Sequence, residues 1–95
     1  MRETAIERRL VQEVERVGGR ALKWVSPGNR GVPDRIVVLP GGRVVFVELK
    51  RPGGRLAPLQ RRWAKVLTGM GHKVYKIESI EEVLKFIDEV EDDGI

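Results

Sequence analysis

Apolar residues along this 95-residue chain change their spacing several times, and each change marks an element. Between Thr4 and Val17, Ile6, Leu10, Val14 and Val17 recur at helical intervals, which predicts an amphipathic first helix. Thr4 and Glu7 have the spacing of a capping box, and Gly18-Gly19 supplies a stop. Ala21 to Val25 reads as a strand with Leu22 and Trp24 on one face, and Ser26 to Gly31 as a loop. Two Val- and Ile-rich arms follow, Val32 to Leu39 and Arg43 to Lys50, joined by the turn residues Pro40-Gly41-Gly42. Pro58 opens a helix to about Gly69, with Leu59, Trp63, Val66, Leu67 and Met70 expected on its inner face. Lys73 to Ile77 is a fourth strand, which a strand–helix–strand order makes parallel to the third. Ser79 with Glu82 caps a last helix running to about Val90 on Val83, Leu84, Phe86, Ile87 and Val90. The order is α-β-β-β-α-β-α, one α/β domain over residues 1–95, with 91–95 expected as a flexible tail.

The hairpin concentrates the chemistry. A three-residue loop at Pro40–Gly42 pairs Leu39 with Arg43 and, counting back, sets Asp34 opposite Glu48. A two-residue loop would shift that pairing by one. Opposed residues share a face, with Cβ atoms roughly 4.5–5.5 Å apart, and Lys50 projects from the same face as Glu48. Two carboxylates so placed repel, so something positive belongs between them. Lys50 is one candidate, and a hard divalent cation such as Mg2+, which takes one or two carboxylates plus waters and phosphate oxygens, is another. A lysine beside such an ion orients water and steadies developing charge, which suits phosphodiester hydrolysis.

Composition narrows the classes. With no cysteine, disulfides, zinc-thiolate centres and thiol nucleophiles are excluded, and a cytoplasmic setting is expected. No apolar run is long enough for a membrane span. The net charge of +4 hides an asymmetry: residues 1–77 carry 17 of 18 basic and six of 14 acidic side chains, a surplus of +11, whereas residues 78–95 stand at −7. A basic body suits a polyanion. Arg30, in the loop before Asp34, is either a phosphate contact or an ordinary exposed charge. Arg51 and Arg55 sit on a flexible loop beside the acids, and Arg61 and Arg62 follow on the next helix; these are the further candidate DNA contacts. Trp63 is expected in the core, and His72, the sole histidine, has no companions for a ligand set.

Pro33-Asp34 followed by Glu48-Leu49-Lys50 resembles the PD-(D/E)XK nuclease signature. The longer strings Arg30-Gly31-Val32-Pro33-Asp34 and Phe46-Val47-Glu48-Leu49-Lys50-Arg51-Pro52-Gly53-Gly54 resemble the virus-type replication-repair nuclease (VRR-NUC) branch in its stand-alone form. The likeness extends from about Glu3 to Val83. It implies a restriction-endonuclease-like core with a small mixed sheet flanked by helices. It also implies a Mg2+ or Mn2+ cofactor held by Asp34, Glu48 and the Leu49 backbone carbonyl, with Lys50 acting on water. A first-helix Glu, Glu7 with Glu3 in reserve, and Gln60 would complete the site. The activity implied is structure-specific cleavage of DNA, on the pattern of Holliday junction resolvases working as homodimers, in a bacterial or phage-infected cell. The competing readings are a monomeric flap or single-strand nuclease, a non-catalytic DNA-binding module, and a basic protein-interaction domain.

Overall fold

The computed structural model describes residues 3–93. Its elements are α1 (Glu3–Arg16), β1 (Arg20–Lys23), β2 (Arg35–Leu39), β3 (Arg43–Leu49), α2 (Pro58–Gly69), β4 (Val74–Ile77) and α3 (Ile80–Asp93). The four strands form one sheet in the order β1-β2-β3-β4. β1, β2 and β3 run antiparallel in turn, and β4 lies parallel to β3, reached through α2. This is the expected α-β-β-β-α-β-α order. Among the described residues no helix is long and apolar enough to cross a membrane.

Residue parity divides the sheet cleanly. Ala21, Val37, Leu39, Val45, Val47, Leu49 and Ile77 point to one face and are all buried. Against them lie Ile6, Leu10 and Val14 of α1, spaced four apart, and Val83, Phe86, Ile87 and Val90 of α3. Each fully buried aliphatic or aromatic side chain here contributes about 1.5–3 kcal/mol. This layer is therefore the principal source of stability. The Tyr75 ring closes its edge against Phe86, centroids 4.9 Å apart.

Local chemistry explains most element ends. The hairpin closes with Leu39 opposite Arg43, and Gly41 and Gly42 hold φ of 83° and 75°, a conformation that costs glycine nothing. α1 stops where Gly19 N–H donates to the Val14 carbonyl at 2.9 Å. α3 starts where the Ser79 hydroxyl accepts from Glu82 N–H at 3.0 Å, while the Glu82 carboxylate accepts from Glu78 N–H at 2.7 Å.

Three expectations are corrected. Thr4 and Glu7 do not form a capping box, because Thr4 already lies inside the helix and the Glu7 carboxylate is taken by Arg35. α3 runs on through Asp93, so residues 91–93 are helical rather than part of a loose tail; Gly94 and Ile95 lie outside the described residues. The third correction concerns α2, whose buried side is not the expected stripe. Leu59, Val66 and Met70 are 45%, 41% and 63% exposed, and only Leu67 is buried. The helix is turned by about one residue, roughly 100°. Of the expected stripe Leu67 stays inward, and Gln60 and Ala64 join it there.

Candidate active site

The opposite face of the sheet carries Leu22, Ile36, Val38, Val44, Phe46, Glu48, Val74 and Lys76. Its cover is thin: Val38 and Val44 at the turn end and Leu22 on the edge strand are exposed, although the apolar character of both faces of β3 predicts cover on both. Phe46 is shielded by Trp24, at a ring separation of 5.3 Å, and by an edge contact from His72 at 5.5 Å. Beyond Phe46 the strand turns chemical.

The hairpin register carries Asp34 to the side of Glu48, one step beyond the pair Arg35–Val47. Their backbones and side chains interlock. Asp34 N–H donates to Glu48 Oε1 at 3.1 Å, and Leu49 N–H donates to Asp34 Oδ2 at 2.8 Å. Lys50 Nζ lies 3.1 Å from Glu48 Oε2. Gln60 Nε2 donates to the same oxygen at 2.5 Å. The orientation of the Gln60 amide follows from its other end, since Oε1 accepts from Ala57 N–H at 2.8 Å and so must be the acceptor. Gln60 thus caps the start of α2 and fixes Glu48 at once. That double role sets the rotation of the helix.

Glu48 is 3% exposed and is the sole buried charged side chain among the described residues. A small cavity of about 70 Å3 against it is walled largely by apolar groups, Pro33, Leu56, Ala64 and Val74, with Gln60 and Lys76 among its polar members. Burial, and after it the negative charge of Asp34, pushes the Glu48 carboxyl above its ordinary value; Lys50 and the Asp34 N–H pull the other way. Two carboxylates set against one ammonium still leave a net negative charge, a natural seat for added positive charge. Among the described residues no three or more His, Cys, Asp or Glu side chains converge. The donors are two hard carboxylates with an ammonium beside them. That set fits Mg2+ or Mn2+, which complete their shells with water and phosphate oxygens, and does not fit a closed all-protein zinc centre.

The other candidates divide. Leu49 presents its peptide to the pair through the N–H that holds Asp34. Glu7 is brought elsewhere: Arg35 Nε and Nη2 donate to its Oε2 at 3.1 and 2.8 Å, and Arg35 Nη1 donates to the Ala21 carbonyl at 2.8 Å. Arg35 follows Asp34 directly and so points to the α1 side of the sheet, and Glu7 with it. Glu3 is exposed at the first described turn.

Arg51 and Arg55 are exposed on the loop between β3 and α2, which is tied down where Gly53 N–H meets Glu78 Oε1 at 3.4 Å. Arg61 turns back on the Leu56 carbonyl at 2.9 Å. Arg30 and Arg62 line an open cleft of about 590 Å3 on the outer side of α2, together with Trp63. Trp63 is half-buried, outside the main buried cluster and with part of its ring on this cleft, so its expected place in the core is met only in part. The signal available was the i, i+4 rule: if Gln60 faces inward, so does Ala64, and Leu59 with Val66 must turn aside.

A family model for the VRR-NUC domain matches residues 2–80. Over 79 residues the chain is 51% identical to "Putative nuclease p44" of Acyrthosiphon pisum secondary endosymbiont phage 1, an overlap covering 83% of this chain and 85% of that protein. A solved structure described as a VRR-NUC domain superposes with a TM-score of 0.86 at 30% identity, covering 90% of this chain and 94% of the other. With the hairpin acids, the lysine and the helix glutamine already in register, these likenesses establish that the chain belongs to the VRR-NUC family of nucleases.

Proposed function

We propose that this nuclease is a Mg2+- or Mn2+-dependent endonuclease that hydrolyses phosphodiester bonds in DNA. The observation that carries the reading is the convergence of Asp34, Glu48, Lys50 and Gln60 on one point of the sheet. Asp34 and Glu48, with the Leu49 carbonyl, would hold the ion. When bound, the ion supplies polarisation of the phosphate and a lower pKa for its water. The chain's own groups do the rest. Gln60 keeps the Glu48 carboxylate in one orientation, so that little reorganisation is needed as charge develops. Lys50 brings an ammonium to the edge of the acid pair, placed to orient the attacking water and to accompany the growing negative charge. Arg30, Arg51, Arg55 and Arg62 have no carboxylate partner among the described residues and are available to phosphates. Arg61 is partly committed to its own backbone.

A body of 95 residues has little surface for reading base sequence, which favours recognition of DNA shape. Holliday-junction-like substrates cut by a homodimer are the finer reading, since two sites related by a two-fold axis would cut two strands symmetrically. The setting would be the cytoplasm of a bacterial or phage-infected cell.

The deciding experiment incubates four-way junction, flap and linear duplex DNA with Mg2+, Mn2+ or EDTA. Cutting that depends on the metal and is lost in Asp34→Ala is the expected result. Cutting that persists in Asp34→Ala or in EDTA overturns the mechanism. Light scattering at working concentration decides monomer against dimer.

A further inference from the structure

We infer that the cleft on the outer side of α2 is a binding site for an unpaired nucleotide of the DNA substrate, stacked on Trp63 and held at its phosphate by Arg30 and Arg62. The inference rests on the DNA-nuclease reading and names a substrate feature that the acid pair alone does not specify: a single-stranded segment beside the cut.

The cleft is built from two walls. One is the loop through Gly28, Asn29 and Arg30, and the other is the outward stripe Leu59, Arg62, Trp63 and Val66 of α2. The loop is clamped to the helix at Gly31. Its φ is 91°, and a Cβ there would sit 2.7 Å from the Leu59 backbone, so glycine lets the two walls meet. Through the same helix the cleft is coupled to the acids, because Gln60, one residue beyond Leu59, donates to Glu48. A group seated in the cleft therefore lies against the same helix that holds Glu48 in place.

The lining is what selects the ligand class. Duplex DNA offers a protein surface its phosphate rails, and basic residues alone would serve it. Here the arginines flank an indole and two exposed aliphatic side chains, which gain nothing from a phosphate. They suit the flat face of a base that has lost its stacking neighbours. The two tryptophans show the contrast. Trp24 is engaged with Phe46, whereas Trp63 has no aromatic partner among the described residues. The volume of about 590 Å3 lies within the range of pockets that take small organic ligands. Arg30 and Arg62 have no carboxylate partner among the described residues, so both charges remain for an anion.

The test uses a fluorescein-labelled single-stranded oligothymidylate in EDTA, so that no strand is cut. In the Trp24→Phe protein, Trp63 is the one remaining indole. Saturation with the oligothymidylate is expected to quench its emission, and a linear duplex of equal length is expected to leave it unchanged. Trp63→Leu should weaken oligothymidylate binding about 10-fold, and Trp63→Phe should recover most of that loss. Affinity of Trp63→Leu for the duplex should change less than about 2-fold. Unquenched Trp63 at saturation, or equal oligothymidylate affinity in Trp63→Leu, overturns the site. If Trp63→Leu does not fold by circular dichroism, the quench and the double variant Arg30→Ala/Arg62→Ala decide instead. A double variant that binds the oligothymidylate as tightly as the parent also overturns it. Because the readout is binding without metal, a protein that cuts no DNA but passes this test loses the nuclease reading alone. One that cuts normally but fails it loses the cleft alone.

Discussion

The two faces of the sheet follow opposite rules. On the α1/α3 face, alternate residues of all four strands meet two helices and exclude water, and the Glu7–Arg35 ion pair joins α1 to β2. On the α2 face, cover is partial, Leu22, Val38 and Val44 stay exposed, and a buried Glu faces an Asp and a Lys. A sheet built for stability alone would not oppose two carboxylates. The difference shows stability assigned to one side and chemistry to the other. A single β-strand, β3, serves both through its period of two.

That division can be broken from either side. The largest expected effect is on the α2 face: Glu48→Ala abolishes cleavage of whichever DNA the parent cuts, a loss of several orders of magnitude, while circular dichroism stays native. Retained cutting would remove Glu48 from the chemistry. On the other face the effect is on folding. Leu10→Ala is expected to destabilise by about 2–5 kcal/mol, read from urea unfolding, because a fully buried side chain leaves a cavity between α1 and the sheet. Glu7→Gln belongs with it. Losing the paired charge beside Arg35 should lower stability by about 1.5–3 kcal/mol and reduce cleavage far less than Glu48→Ala does. A Glu7→Gln protein that is fully stable yet inactive would return Glu7 to the active site.

A smaller effect has an unusual sign. Asp34→Asn keeps an acceptor for Leu49 N–H but removes the charge facing Glu48. In EDTA it should stabilise the fold by about 0.2–1 kcal/mol while ending cleavage. The pH dependence identifies the cause. The folded-state value of Glu48 is raised above its ordinary 4.5, so the folded form holds that proton more tightly. Its favourable contribution is complete below the unfolded value and is lost as pH rises through the folded one. The melting-temperature advantage of Asp34→Asn should therefore be small at acid pH, where Glu48 keeps its proton, and widen as rising pH ionises it. An advantage that shrinks with rising pH would contradict the assigned repulsion. The smallest effect is expected at the open turn end, where Val38→Thr should shift stability by no more than about 0.5 kcal/mol.

Much of the fold was written in local terms. The hairpin register follows from loop length and the alternation of its arms, so the meeting of Asp34 with Glu48 and Lys50 could be counted from the residues. The parallel β4 and the Ser79 cap are likewise short-range matters of connection and hydrogen-bond supply. The rotation of α2 was not legible. Of the apolar stripe Leu59-Trp63-Val66-Leu67-Met70 only Leu67 is buried, and Gln60 and Ala64 join it against the sheet, because Glu48 takes a donor from Gln60 and only the folded chain brings that carboxylate to the helix. The partner of Glu7 was hidden for the same reason. Thr4 stands near it in sequence, but Arg35, 28 positions away, reaches it because β2 turns that side chain to the α1 side. Periodicity and turn chemistry act between neighbours and can be read along a line. Which of two plausible faces is buried, and which charge meets which, depends on distances that exist only after the chain has closed on itself.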